Sequence, residues 1–493
     1  MLIAFGYLAY RDGYKQALYD LLAFNLLFGF HFAGFVPGGL SIRVIHVLLI
    51  VILMYQVLRI ILLGKIRMSP ALRIVLPVVG IYLLWVVAVS FYHRIPQFGF
   101  GSALSYAIIT HLLSVAFFVV GIRLAHDQAG ARFLRIIVGG SVLVAAIALI
   151  QFASTGRWLT SDGSDYYLGL LQPLGANALE RREASESALR LSEAVRLIQL
   201  GNQRFYRAPG SFDGASNLLM MVGLVLATLF ITSSRLVKSW MLPAFLLIVL
   251  GFMVAFNRTV IATFIGLALL VFLYQVRFGL RLPVRLVRGL LIGGSLLTIV
   301  GLVALLVYSP LQQAVQLVWD IFFGTRAARD FDSLNGRTEL WGYVLNEIRL
   351  HPWLGNDQPI TAVRAGWGTD PNDQVDVGAH NIFFDLAFRN GVMAAVAFAG
   401  LFGFSFWRMY RLARDPGLTT EMRKVFLALL VALLGFLAVN LMSAPLRNPS
   451  LAAFFWIWLG YLAAFQPRSV PVPVTQPMGV SPHVRLSATP ASD

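Results

Sequence analysis

Long apolar stretches with few charges divide this sequence, and they limit its fold more than any other feature. Of its 493 residues, 58% are hydrophobic and 13% are charged, whereas soluble domains usually carry about 25% charged residues. A helix needs about 20 apolar residues to cross the core of a bilayer, and several stretches approach that length. The pattern predicts an all-α polytopic membrane protein, because the short alternating segments of a transmembrane β-barrel do not occur.

Charged or Gly/Pro-containing breaks divide the apolar stretches into about twelve predicted spans. These lie near 20–40, 44–63, 73–92, 105–124, 133–153, 214–233, 240–256, 259–276, 289–308, 381–407, 425–444 and 450–466. The chain is thereby predicted to contain N-terminal membrane helices (1–153), a first loop (154–213), central membrane helices (214–308), a large second loop (309–380), C-terminal membrane helices (381–466) and a tail (467–493). The tail is rich in Pro, Val and Ser, a composition typical of disorder.

Lysine and arginine are concentrated in short loops on one side of the predicted membrane, such as the loop with Lys65 and Arg67. By the positive-inside rule this side is cytoplasmic, and both termini lie there. The two long loops then face the opposite side, which is the periplasm if the source is a Gram-negative bacterium. The net charge of +16 fits basic loops beside anionic lipid, and no soluble basic domain for nucleic acid is present. The chain has no cysteine, which excludes disulfides, thiolate metal sites and a cysteine nucleophile.

Both long loops contain a predicted helix. In the first, "ANALERREASESALRLSEAVRLIQLGN" has apolar residues at helical spacing, including Leu191, Ala194, Leu197 and Ile198. It predicts an amphipathic helix that lies on the membrane or over a cavity. In the second, "LNGRTELWGYVLNEIRLHPWLGND" predicts a helix that is capped near Asn335 or Gly336 and ends before Pro352.

Three arginines at the outer side are candidate phosphate ligands. Arg258 lies in a tight turn between two apolar runs, where it either snorkels to the interface or binds an anion. Arg337 lies near the start of the second-loop helix, which suits phosphate, although a surface pair with Glu339 is an alternative. Arg207 lies in a Gly-rich turn before the span that starts near Asn217, where the backbone can approach a ligand.

The segment "VDVGAHNIFFDLAFRNG" combines polar groups with the start of an apolar run. His380 is either a general base for a hydroxyl or a hydrogen-bonded interface histidine. Asn381 and Asp385 share one helix face, and Asp385 and Arg389 are spaced for a structural ion pair. The nearby Asp370, Asp373 and Asp376 do not have the ligand spacing of a calcium loop, so no metal site is predicted. The chain has neither a GxSxG nor a Walker motif, so a nucleotide donor is not expected.

Three pieces of the sequence, in order, resemble the O-antigen ligase/polymerase superfamily of bacterial envelope glycosyltransferases. They are "FNRTVIATF", "NGRTELWGYVLNEIRLHPWLGND" and "AHNIFFDLAFRNG". The resemblance covers roughly 210–410. The ligase motif resembles His-[Asn/Ser/Gln]-x9-Gly-x-x-[Gly/Thr/Tyr], which His380, Asn381 and Gly391 match and from which Ala394 departs.

The resemblance implies a GT-C-like inner-membrane enzyme that acts at the periplasmic face. It implies a donor glycan linked to undecaprenyl diphosphate and inverting transfer to an acceptor hydroxyl, without cofactor or metal. Arg258, Arg337 and Arg207 would then bind the diphosphate, and His380 would act at the acceptor, supported by Asn381, Asp385 and Arg389. Besides the donor, the implied partners are a glycan or lipid A core acceptor, membrane lipid and other envelope polysaccharide assembly proteins.

Several alternatives stay open. The acceptor is the lipid A core for a ligase, a second lipid-linked repeat unit for a polymerase of O-antigen or exopolysaccharide, or a protein for an O-glycosylating relative. The match at His380, Asn381 and Gly391 favours a ligase, whereas the length of the 154–213 loop favours a polymerase. An alternative of another class is a flippase or transporter of lipid-linked sugar, which predicts related halves and charges in mid-membrane.

Overall fold

The computed structural model describes most of the predicted membrane helices and part of the second loop. The described residues are 13–28, 69–107, 111, 113–154, 197–200, 203–206, 215–232, 239–255, 257–277, 339–356, 360, 378–443, 446 and 449–467. The predicted spans at 44–63 and 289–308 lie outside these ranges, as does most of the first loop.

Most of the described residues are helical, and a short β-hairpin is also described. The helices are α1 (Tyr14–Phe28), α2 (Pro70–Ala107), α3 (Leu113–His126), α4 (Gly130–Ser154), α5 (Ala215–Thr232), α6 (Met241–Met253), α7 (Arg258–Arg277), α8 (339–350), α9 (Ile382–Arg414), α10 (Thr420–Ser443) and α11 (Pro449–Ala464). The hairpin pairs β1 (Leu197–Leu200) with β2 (Gln203–Tyr206) in antiparallel register.

Five of the described helices are long and apolar enough to cross a membrane. They are Pro70–Gln97 of α2, Gly130–Ala153 of α4, Ala215–Thr232 of α5, Ile382–Arg414 of α9 and Thr420–Ser443 of α10. Shorter apolar helices lie at Ala116–His126, Met241–Met253, Thr259–Gln275 and Ser450–Ala464. The chain is therefore a multi-pass membrane protein, and the total of twelve spans stays a prediction.

Several helix boundaries depart from the sequence prediction; α1, for example, begins at Tyr14 rather than near 20. Residues 105–107, predicted to open the span 105–124, instead end α2, and α3 begins at Leu113. Leu197 and Ile198, predicted to lie in the amphipathic helix, are in strand β1. A short apolar run fits helical and extended spacing almost equally well. Here its backbone pairs with β2, so the run is a strand.

Helix α9 packs against both α2 and α10. Its aromatic side chains interlock with those of its neighbours: the ring of Phe398 lies 5.7 Å from that of Tyr82 on α2, and Phe402 stacks on Phe455 of α11 at 4.6 Å. Aromatic pairs at these distances attract each other beyond the area that they bury. The C-terminal part of α9 is thus firmly held, and the motif residues lie at its N-terminal end, which is the outer end in the predicted orientation.

Candidate active site

The structure brings part of the predicted site together at the outer end of α9. His380, Asn381, Asp385 and Arg389 are all described, and they lie within the first turns of this helix or just before it. Arg258 is the first residue of α7. Arg337 and Arg207 lie outside the described residues.

Asn381 is the N-cap of α9. Its backbone is extended, and its side-chain oxygen accepts hydrogen bonds from the backbone N–H groups of Phe383 (3.0 Å) and Phe384 (3.2 Å). These donors have no partner within the helix, so the cap satisfies them. Asn381 is buried, and its capping role sets the residue at which the helix begins.

Asp385 joins the first turn of α9 to the residue before His380. One carboxylate oxygen accepts from the backbone N–H of Ala379 at 3.3 Å, and the other lies 3.3 Å from Nε of Arg389. The carbonyl of Ala379 accepts from the indole Nε1 of Trp341 at 2.9 Å. Both polar groups of the fully buried Ala379 are therefore engaged, which fixes the chain immediately before His380.

His380 has a left-handed backbone conformation, with φ at 51°. Few non-glycine residues adopt this conformation, although histidine does so more readily than most. It is half-buried and lies between the pinned Ala379 and the capping Asn381. Backbone strain of this kind is concentrated at functional sites, where the surrounding contacts hold it in place.

A small apolar cluster joins α8 to the outer part of α9. Its fully buried members come from α8, from the approach to α9 and from α9 itself: Leu340, Val344, Ile360, Ala379 and Phe388. Trp341 makes an edge-on contact with Phe384 at 5.8 Å. The second-loop helix thus lies directly against the segment that carries Asn381 and Asp385.

Helix α9 is interrupted at Gly391. This residue has φ 80° and ψ 166°, which is not helical, so α9 consists of an outer segment (382–390) and an inner segment (392–414). The broken ladder is completed by the turn that follows α8. The N–H of Val392 donates to the carbonyl of Pro352 at 2.8 Å, and the carbonyl of Phe388 accepts from the N–H of Asn356 at 2.5 Å. In an unbroken helix, Val392 would donate to Phe388.

We call this arrangement, formed by the 352–356 turn and the break at Gly391, the backbone splice. Two glycines allow it. A Cβ at Gly391 would overlap the carbonyl of Trp353, and a Cβ at Gly355 would lie 2.6 Å from the carbonyl of Phe388. Both glycines also have positive φ, 80° at Gly391 and 68° at Gly355, which other residues rarely adopt. The His-Pro-x-x-Gly and His-Asn-x9-Gly sequences therefore meet physically at this point.

Residues 243–399 match the family model described as O-antigen ligase. This match supports the resemblance of the segment to the O-antigen ligase/polymerase superfamily. The O-antigen ligase segment covers less than half of the chain, and it begins in α6 and ends in α9. A comparison with curated proteins finds no match.

The O-antigen ligase segment contains the backbone splice and the pinned approach to His380. It also contains the tight turn between α6 and α7. There, the side-chain oxygen of Asn257 accepts from the N–H of Val260 at 3.3 Å, which places Arg258 in the first turn of α7. This part of a helix carries positive dipole and free N–H groups, so the position suits an anion.

Two polar residues that reach the backbone splice lie outside the O-antigen ligase segment. Trp85 and His93, both on α2, contact carbonyl groups of α9 and of the turn, respectively. Neither residue was predicted from the sequence, although a histidine near the end of an apolar helix is a usable signal.

Potential metal ligands are not grouped in the described part of the O-antigen ligase segment. No cluster of three or more His, Asp or Glu residues occurs among the residues that the structure describes. Asp370, Asp373 and Asp376 lie outside the described ranges.

Proposed function

We propose that the protein is a glycosyltransferase of the periplasmic face that moves a glycan from undecaprenyl diphosphate to the hydroxyl of the lipid A core. The match of residues 243–399 to the O-antigen ligase family model supports the general reaction class. The observation that carries the proposal is the position of His380. It lies in strained backbone, pinned by Ala379 and Asn381, at the outer end of a membrane helix inside the family segment.

The donor side of the proposed reaction depends on arginines. When the glycosidic C–O bond breaks, negative charge grows on the departing polyprenyl diphosphate. Arg258 and Arg337 bind this diphosphate, with Arg207 as a further ligand, and they stabilise the transition state more than the ground state. The position of Arg258 at the start of α7 supports this assignment, because the helix dipole adds to the charge of its guanidinium.

The acceptor side depends on His380. The neutral imidazole takes the proton of the acceptor hydroxyl while the oxygen attacks the anomeric carbon. One C–O bond forms and another breaks, the diphosphate leaves with the bonding pair, and the proton stays on the imidazole until it passes to solvent. Attack from the face opposite the diphosphate inverts the anomeric centre. The reaction requires no pair of carboxylates, and no step is assigned to a metal or a nucleotide.

A second candidate function is repeat-unit polymerisation by the same chemistry, with a lipid-linked glycan as the acceptor. One observation favours it: Ala394 stands where the ligase motif has Gly, Thr or Tyr, and this residue is fully buried on the inner segment of α9. The residue that differs from the ligase motif is therefore a packing residue next to the backbone splice. It leaves His380 and Asn381 in place for either acceptor.

The proposed orientation puts the outer end of α9 at the periplasmic side of the inner membrane, with both termini in the cytoplasm. The facing ends of α9 and α10 support it, because the last turn of α9 carries Arg411 and Arg414 and the first turns of α10 carry Arg423 and Lys424. Such basic clusters remain on the cytoplasmic side, so the opposite end of α9, with His380, faces outward.

The test is transfer by the purified protein in liposomes, with a synthetic lipid-linked oligosaccharide as donor and no nucleotide. Mass analysis of the product distinguishes a capped lipid A core, which the proposal predicts, from a lengthened lipid-linked glycan, which supports the polymerase. Movement of donor across the bilayer without a new glycosidic bond would instead indicate a flippase and overturn both enzyme assignments.

A further inference from the structure

Helix α2 holds both halves of the backbone splice through side-chain donors. The indole Nε1 of Trp85 donates to the carbonyl of Asn390 at 2.8 Å, and Nε2 of His93 lies 2.9 Å from the carbonyl of Leu354. Asn390 is the last residue of the outer segment of α9, and Leu354 belongs to the turn that enters the break. One membrane helix is therefore bonded to both sides of the same junction.

The chemistry of the two contacts defines which atoms carry protons. A carbonyl oxygen only accepts, so Nε2 of His93 carries the hydrogen in this contact. Trp85 has a single polar group, which is also a donor. The Asn390 carbonyl is close to the interruption of the helical ladder, where intrahelical partners are lost. Because unpaired carbonyl groups at membrane depth are costly, a donor from α2 stabilises each of these two backbone groups at the junction.

The orientation of the outer segment of α9 relative to the inner segment is not fixed by the helix itself. The outer segment comprises only nine residues, 382–390, and helices of that length are marginal without tertiary contacts. It is joined to the inner segment through Gly391, the most permissive residue type. The direction of the segment that begins at His380 therefore depends on what is bonded at the break, namely the 352–356 turn and α2.

We propose that Trp85 and His93 are positioning residues for glycan transfer. They fix the angle between the outer and inner segments of α9, and thereby the place of His380 relative to the bound donor. This inference rests on the proposed function for its consequence in catalysis. Misplacement of a reacting group by about 1 Å can lower a rate by about a hundredfold, so partial loosening of the junction is expected to reduce turnover before it reduces binding.

The kinetic test compares variants that remove a donor with variants that keep one. Trp85→Phe keeps an aromatic ring without the N–H, and His93→Leu removes the donor that His93→Gln retains. We expect kcat to fall about tenfold in Trp85→Phe and His93→Leu while KM for the donor stays within about twofold, and His93→Gln to restore most of the turnover. Trp240→Phe is the matched control, because Trp240 is exposed at the start of α6.

The structural test is a distance measurement that does not need activity. Since the chain has no cysteine, nitroxides can be attached to Leu345→Cys on α8 and Val396→Cys on the inner segment of α9, both exposed positions. The labelled protein with native Trp85 and His93 should give one narrow distance distribution. Addition of Trp85→Phe or His93→Leu should broaden this distribution.

Unchanged turnover in both donor-removing variants would overturn the proposal, and so would reduced turnover with an unchanged distance distribution. If His93→Leu fails to insert, Trp85→Phe and His93→Gln still decide the question. Absence of transfer by the wild-type protein would overturn the proposed function instead. The distance distributions would then still decide whether α2 orients α8, which packs against the outer segment, relative to the inner segment of α9.

Discussion

Gly391 approaches Trp353 so closely that a Cβ at residue 391 would overlap the carbonyl of Trp353. The contact joins two backbone segments, so no side-chain adjustment can relieve it. It brings the turn after α8 into the interruption of α9 and explains why glycine is needed there.

Replacement of Gly391 by alanine should disrupt the backbone splice. The new Cβ meets backbone atoms, and φ at 80° is unfavourable for alanine. We expect a marked fall in the thermal midpoint in detergent and loss of transfer. Gly403→Ala on the same helix is the control, because a Cβ there meets nothing within 4 Å. Equal behaviour of the two variants would refute the steric argument.

Replacement of Asn381 by alanine should destabilise the outer segment of α9 by about 1 kcal/mol through loss of the N-cap. Ser and Asp are also good capping residues, so Asn381→Ser and Asn381→Asp should retain stability. Chemical denaturation in detergent, followed by circular dichroism, measures the difference. If Asn381→Ser is as unstable as Asn381→Ala, the cap is not the reason for a polar residue at this position.

Asp385 and Arg389 should be energetically coupled. Asp385→Ala leaves the N–H of Ala379 and the guanidinium of Arg389 without their carboxylate partner, at a cost of about 3 kcal/mol. Arg389→Ala leaves a buried carboxylate with less compensation. The double variant should therefore lose less stability than the two single variants combined. Additive losses in a double-mutant cycle would show that the 3.3 Å contact contributes little.

The absence of native cysteine permits a clean test of orientation. Leu345 on α8 and Thr419 between α9 and α10 are both exposed, but they lie on opposite sides in the proposed arrangement. A membrane-impermeant maleimide should label Leu345→Cys in intact spheroplasts and Thr419→Cys only after lysis. Labelling in the reverse order would place His380 in the cytoplasm.

The positions of the apolar helices were largely predictable, because a bilayer imposes a length on every span. The prediction 214–233 and the observed helix Ala215–Thr232 nearly coincide. Hydropathy did not indicate the interruption of α9 at Gly391. The apolar stretch continues through Gly391, and glycine is tolerated in membrane helices, so 381–407 was predicted as one uninterrupted span.

Contacts within the candidate site were predictable only where both partners lie on one helix. The helical spacing of Asp385 and Arg389 indicated their contact, since both lie on one helix. The partners of the backbone splice are distant along the chain: Pro352 bonds to Val392, and Trp85 to Asn390. Local spacing rules cannot predict such contacts, because they depend on how helices pack.

The role of His380 as the base in glycan transfer is tested by comparing two proteins. Wild-type protein and His380→Ala, reconstituted with a lipid-linked donor and an acceptor, are assayed for the new glycosidic bond without nucleotide, and thermal midpoints verify that both are folded. Wild type should form the bond, and His380→Ala should be slower by about a hundredfold or more. A folded His380→Ala protein that transfers glycan at the wild-type rate would contradict this role.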